Sequence, residues 1–160
     1  VNNPHNYYFM IETEGNAIGV INCKNVSEEM GYGEGGIFIW EKNLAIDFTP
    51  VFASLCLLNA IFVELAVFNK SFIQIMNHNK KAQYYNRSLG YVPVPGQKTK
   101  NPYFVLTKED YLNKTRKINE VAKKMFPNSS GIIISGQPSE NNLDHINEYL
   151  RNQNNPDRAI

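Results

Sequence analysis

From Tyr7 to Glu14 the chain reads YYFMIETE, a near alternation rich in aromatic and β-branched residues, which predicts a half-buried strand. Gly15-Asn16 then supplies a two-residue turn, and Ala17 to Val26 (AIGVINCKNV) returns as the partner strand of a hairpin. A polar, glycine-rich connection follows. Gly35 to Trp40 (GGIFIW) is apolar on both faces, as a central strand of a sheet would be. After the loop EKNLAIDFT, Thr49-Pro50 marks a helix start, with Thr49 as N-cap and Pro50 at the first helical position. That helix is apolar nearly all round to about Leu65, so it belongs in the interior. Phe72 to Met76 (FIQIM) predicts a fourth strand, and Lys80 to Leu89 a second helix ended by Gly90 in the left-handed conformation. YVPV and PYFVLT predict two more strands, antiparallel partners joined by the polar PGQKTKN loop.

Beyond Thr107 an acidic first turn opens another helix, whose stripe is Tyr111, Thr115, Ile118, Ala122 and Met125, and Pro127 ends it. GIIIS predicts a short strand, and Ser139 caps a last helix carrying Leu143, Ile146, Tyr149 and Leu150. The order predicts an α/β domain over residues 1–107, with a mixed, mostly antiparallel sheet and helices on both faces. Residues 108–160 form a helix-strand-helix extension with a polar tail.

Composition narrows the possible functions. At 160 residues and 42% hydrophobic content the chain can bury one sizeable core. With 16 Lys and Arg against 15 Asp and Glu it lacks the basic excess that polyphosphate recognition uses, which argues against a nucleic-acid partner. The longest apolar stretch, Val51 to Phe68, is interrupted by Ser54, Asn59 and Glu64, so it predicts a buried helix and not a membrane span. No basic-then-apolar leader opens the sequence, and a cytoplasmic setting is expected. Cys23 and Cys56 sit in apolar contexts as small core fillers, and His5, His78 and His145 are too scattered for a metal site. Ser135-Gly136 has no partner base in a recognisable arrangement, so a serine hydrolase is unsupported.

The third and fourth strands are each followed by a helix. If they are parallel neighbours, their carboxyl ends open on one edge, where α/β sheets bind ligands. The Thr49 helix start offers free backbone N–H groups to an anion, and Asn77 and Asn79 offer amides at the second strand end. Asn79 also reads simply as the cap of the helix that follows.

Asn79-x-x-Ala82 followed by Leu89-Gly90-Tyr91 resembles the N-x-x-A/S…L-G-F/Y signature of the GCN5-related N-acetyltransferases, and GEGGIFIW and FIQIM resemble that family's fourth and fifth strands. The resemblance covers Tyr7 to about Thr107. It implies that the two strands splay, that the pantetheine arm of acetyl-CoA bonds into the gap, and that an acceptor amine attacks the thioester directly. Phe38, Ile39 and Trp40 would bind the pantetheine amides through their backbone, Asn79 would contact the cofactor, and Glu34 would take the amine proton. Glu34 by itself also reads as a solvated carboxylate in a glycine-rich turn. The tyrosine that many members use as general acid falls on Asn86. Tyr84 is then the expected acid reaching the cleft, with Tyr85 on the packed face beside the cofactor.

Two departures accompany the resemblance. The family's glycine-rich pyrophosphate loop is replaced by Glu41 to Thr49 without a glycine, where Asp47 would repel a diphosphate and Lys42 would offset this only in part. Only six residues precede Tyr7, so the strand and helices that open the family's fold are expected to be missing. The implied function is an acetyl-CoA-dependent N-acetyltransferase acting on a small-molecule or protein amine, without nucleic acid or membrane and compatible with a homodimer. The alternative is a catalytically inactive binding or interaction module built on the same fold.

Overall fold

The computed structural model describes residues 6–45, 47–66 and 68–127. Strand β1 (Tyr7–Thr13) and β2 (Asn16–Ser27) form the hairpin, paired from Tyr7↔Cys23 to Thr13↔Asn16. The turn is Glu14-Gly15, one residue earlier than the sequence suggested. Both residues have positive φ, 51° and 76°, the signature of the tight turn whose twist matches a hairpin. Asn16 is already paired.

Strand β3 (Tyr32–Ile39) begins three residues before the predicted start, because Tyr32 and Glu34 pair with both neighbouring strands. Helix α1 (Thr49–Asn59) continues as a π-helical turn over Ala60–Glu64 and fills the interior with Leu55, Leu57, Leu58, Ile61 and Phe62. Strand β4 (Lys70–Gln74) is followed by α2 (Lys80–Ser88), β5 (Val92–Pro93) and β6 (Tyr103–Thr107). The six strands form one sheet in the order β1-β2-β3-β4-β6-β5, in which β3 and β4 run parallel and every other neighbouring pair is antiparallel. This is the expected mixed, mostly antiparallel sheet.

The predicted helix after Thr107 is two helices, α3 (Lys108–Lys114) and α4 (Arg116–Met125). The break falls at Thr115, whose hydroxyl donates to the Tyr111 carbonyl at 2.5 Å, the kind of side-chain back-bond that bends helices. Tyr111 packs its ring 5.6 Å from Phe62, and Phe126 stacks on Phe52 and Phe48 at the start of α1. Helix α3 and Phe126 beyond α4 therefore pack against α1, on the buried side of β1 to β3. On the other side of β1 to β3, Tyr8, Met10, Phe38 and Trp40 are exposed. The predicted GIIIS strand and final helix lie outside the described residues.

Helix α2 is bounded by two local devices. Asn79 Oδ1 accepts from the Ala82 N–H at 3.0 Å, the cap expected from its amide. At the other end Gly90 adopts φ +99°, and the bonds Gly90 N–H to Arg87 and Tyr91 N–H to Asn86 close a Schellman motif. Asn79→Ala is expected to destabilise the fold by about 1 kcal/mol through loss of that cap, read as a lower urea midpoint at an unchanged m-value.

Candidate active site

The pairing of β3 with β4 stops almost as soon as it begins. Tyr32↔Lys70, Gly33↔Ser71 and Glu34↔Phe72 are in register, and beyond them the two strands separate. β4 continues against β6 to Gln74↔Tyr103, while β3 continues against β2 to Gly19↔Ile39. The parity of the bonds fixes which backbone groups face the opening. Trp40 N–H donates to Ile18, so even-numbered residues of β3 bond to β2. Lys70 N–H donates to Gly31, so odd-numbered residues face β4. Ile37 and Ile39 thus turn their amide groups into the gap with no strand opposite.

A cleft of about 270 Å³ occupies that opening. β3 contributes Gly35, Gly36 and Ile37; β4 and its continuation contribute Ile73 to Met76. Helix α1 adds Ser54, Leu57, Leu58 and Ile61, and α2 adds Asn79, Ala82, Tyr85 and Asn86. Cys23, Ser71 and Tyr91 close the floor, where the Ser71 and Tyr91 hydroxyls bond at 2.7 Å. Gly35 keeps the mouth open, since a Cβ there would already touch Ile73 at 3.4 Å and Ser71 at 3.7 Å.

Several polar groups in the cleft are already engaged within the protein. The Tyr85 hydroxyl donates to the Pro50 carbonyl at 2.7 Å and also contacts the Ser54 hydroxyl, so Ser54 must be the donor to Tyr85. Burial drives the Tyr85 hydroxyl pKa well above its ordinary value, which Ser54 offsets only in part. Asn79 uses Oδ1 as a helix cap, while its Nδ2 makes no hydrogen bond within the described residues. Cys23 is fully buried and its thiol is pushed up to about 12, first by burial and then by the Glu34 carboxylate. Cys56 is raised to about 11, chiefly by burial. Neither thiol supplies the thiolate that covalent catalysis requires.

Several site residues named from sequence move. Phe38 and Trp40 direct their backbone at β2, and their side chains are on the exposed face; the indole N–H of Trp40 bonds Ala17. Of that trio only Ile39 presents its amide to the gap. Tyr84 is 81% exposed and does not line the cleft, because the face of α2 turned inward is Ala82, Tyr85, Asn86 and Leu89, at helical spacing. The Asn86 position does lie in the cleft, its amide donating to the Ala82 carbonyl.

Glu34 sits at the last paired position, where the strands part. Gly33 and Gly35 turn toward Cys23 and Ile73, so the Glu34 side chain between them projects from the opposite face of the sheet. It is 13% exposed, accepts from Asn25 Nδ2 at 2.8 Å and pairs with Lys24 at 3.4 Å. Asn25 reaches it because β2 shifts register after Lys24 with Asn25 at φ 49°, a left-handed conformation that asparagine tolerates.

The start of α1 differs from the sequence expectation. Thr49 is the first helical residue and not the N-cap, and Phe48 occupies the cap position without a side-chain bond. Asp47 Oδ1 accepts from the Thr49 N–H at 2.7 Å, and Pro50 has no N–H to give. Two of the donors that a helix terminus would present to an anion are therefore spent or missing. Sequence inspection passed over Ser54, Ser71, Gly35 and Ile37. Ser54 and Ser71 were visible as hydroxyls interrupting apolar runs, whereas Ile37 acts through a backbone that no side-chain pattern reports.

Solved structures described as N-acetyltransferases share this fold. The chain is similar to FdhC, a nucleotide-linked sugar GNAT, with 21% identity and TM-score 0.61 over 71% of this chain and 64% of that one. It is similar to a mutant form of the spermidine/spermine N-acetyltransferase SpeG from Vibrio cholerae, with 18% identity and TM-score 0.60 over 69% of each chain. At these identities the likeness establishes the fold. The chain spans a little under two thirds of the length of FdhC. No family model matches the sequence, and no curated protein does. Among the described residues no group of His, Cys, Asp and Glu could hold a metal, and no helix is long and apolar enough to cross a membrane.

Proposed function

We propose that this protein is an N-acetyltransferase that moves an acetyl group from acetyl-CoA to a primary amine by direct attack on the thioester. The observation that carries the proposal is the parting of β3 and β4 after Glu34↔Phe72, which frees backbone amides at Ile37 and Ile39 beside a cleft of mixed polar and apolar lining. Those residues fit a pantetheine arm: an extended amide chain can continue the interrupted ladder, and Asn79 Nδ2 is available next to it. In the transfer the amine nitrogen forms a bond to the acyl carbon as the carbon–sulfur bond breaks, and its electron pair leaves with sulfur. The amine proton passes to the Glu34 carboxylate, directly or through water, and solvent protonates the thiolate. With Glu34 on the face of the sheet opposite the cleft wall, the acceptor in this proposal approaches from that face. The neutral thiols of Cys23 and Cys56 favour direct attack over an acyl-enzyme.

The test is calorimetric titration with acetyl-CoA, paired with Gly35→Val. The added side chain grows from the cleft wall toward Ile73 and Ser71, at a strand position that suits valine. Acetyl-CoA affinity is expected to fall more than about tenfold, equivalent to 1.4 kcal/mol, while the variant stays folded. Absence of binding by the parent chain at millimolar acetyl-CoA would leave the interaction-module interpretation instead.

A further inference from the structure

We infer that the donor site grips the acyl-pantetheine arm and gains almost nothing from the nucleotide diphosphate, so that a short acyl-pantetheine thioester serves as donor about as well as the full acyl-CoA. The inference rests on the cleft being the thioester site. It concerns the stretch between β3 and α1, where the outer end of an acyl-CoA would leave the gap.

Three features there oppose a diphosphate. The segment Glu41 to Thr49 contains no glycine, so its backbone cannot approach phosphate oxygens as a glycine-rich loop does. Its charged residues are Glu41, Lys42 and Asp47, two carboxylates to one ammonium. The helix terminus behind it has little left to offer, since Asp47 Oδ1 holds the Thr49 N–H at 2.7 Å, Pro50 contributes no donor and the Phe52 N–H bonds the Phe48 carbonyl. An incoming diphosphate would have to displace that carboxylate or lie against it. The ring of Phe126 stacks over Phe52 at 4.5 Å and Phe48 at 6.2 Å, which makes this corner of the molecule aromatic.

The inner half of the site shows the reverse. The free amides of Ile37 and Ile39, the unengaged Nδ2 of Asn79 and the 270 Å³ cleft are all arranged for an amide-bearing arm ending in a small acyl group. Binding energy is therefore concentrated near the thioester. The transferred group and the bonds made and broken are the same for either donor: nitrogen gains the acyl carbon, and sulfur leaves with the electron pair and is protonated.

The experiment compares acetyl-CoA with S-acetyl-pantetheine by calorimetry on the intact chain. Dissociation constants within about threefold of each other are expected if the diphosphate adds little. Acetyl-CoA binding more than about thirtyfold tighter overturns the inference and leaves the acetyltransferase proposal standing. Failure of both donors to bind at millimolar concentration removes the acetyltransferase proposal and the inference with it. Asp47→Ala adds a second arm. Releasing the Thr49 N–H and deleting a carboxylate is expected to tighten acetyl-CoA severalfold while leaving S-acetyl-pantetheine unchanged. An equal effect on both donors, or none on either, counts against Asp47 as the block. Thermal melting of the unliganded variant confirms that it is folded.

Discussion

Glu34→Gln is expected to lower kcat by about 10²- to 10⁴-fold, the usual contribution of a positioned general base, equivalent to about 2.7–5.5 kcal/mol of barrier. The donor dissociation constant is expected to stay within about twofold, because Glu34 does not line the cleft proposed for the thioester. Stability should change little. Glutamine retains an oxygen for the Asn25 amide, and the pair lost with Lys24 is a partly exposed one at 3.4 Å, worth about 0–1 kcal/mol. A variant that keeps its rate would show that the carboxylate at the strand junction serves the sheet alone. One that loses donor affinity and rate together would place Glu34 in binding.

The same residue shows how far the sequence could be read. Its position before GGIFIW was legible because the strand pattern and the LGY segment located the third and fourth strands, and the structure pairs them in parallel at Glu34↔Phe72. Its orientation was not. Which face of a strand a side chain takes depends on register, and the register here follows from bulges near Ala17 and Asn25 that no periodicity announces. Tyr84 and Tyr85 illustrate the helical counterpart. Adjacent tyrosines differ by about 100° around the axis, so a one-residue shift in the inward face exchanges a cleft-lining ring for an exposed one. Gly90 as the end of α2 and Asn79 as its cap were legible because each acts locally there, through its own φ or its own side chain. Thr49 was half legible: the helix begins there, but the capping carboxylate comes from two residues earlier.

Phe62→Ala is expected to cost about 3–5 kcal/mol, the largest stability loss of any single change considered for this chain. Phe62 is fully buried in the π-helical turn after α1, and its ring meets Tyr111 of α3, itself buried, at 5.6 Å. Deleting it leaves a cavity between the central helix and the segment beyond Thr107, and total stability for a domain of this size is typically only about 5–15 kcal/mol. The experiment is urea unfolding of Phe62→Ala, Tyr111→Ala and the double variant. A shared cavity predicts that the double loss falls short of the sum of the single losses by more than about 0.5 kcal/mol. It also bears on the boundary drawn at Thr107. Tyr111, Thr115 and Ala122 are as buried as Leu106 in β6, and Tyr111 donates to the Leu55 carbonyl of α1. A chain ending at Thr107 is therefore expected to lose its cooperative unfolding transition, as one core shared across that point requires. Cooperative unfolding of the shortened chain, together with a Phe62→Ala loss below about 1.5 kcal/mol, would instead make α3 and α4 an appendage on a self-sufficient sheet.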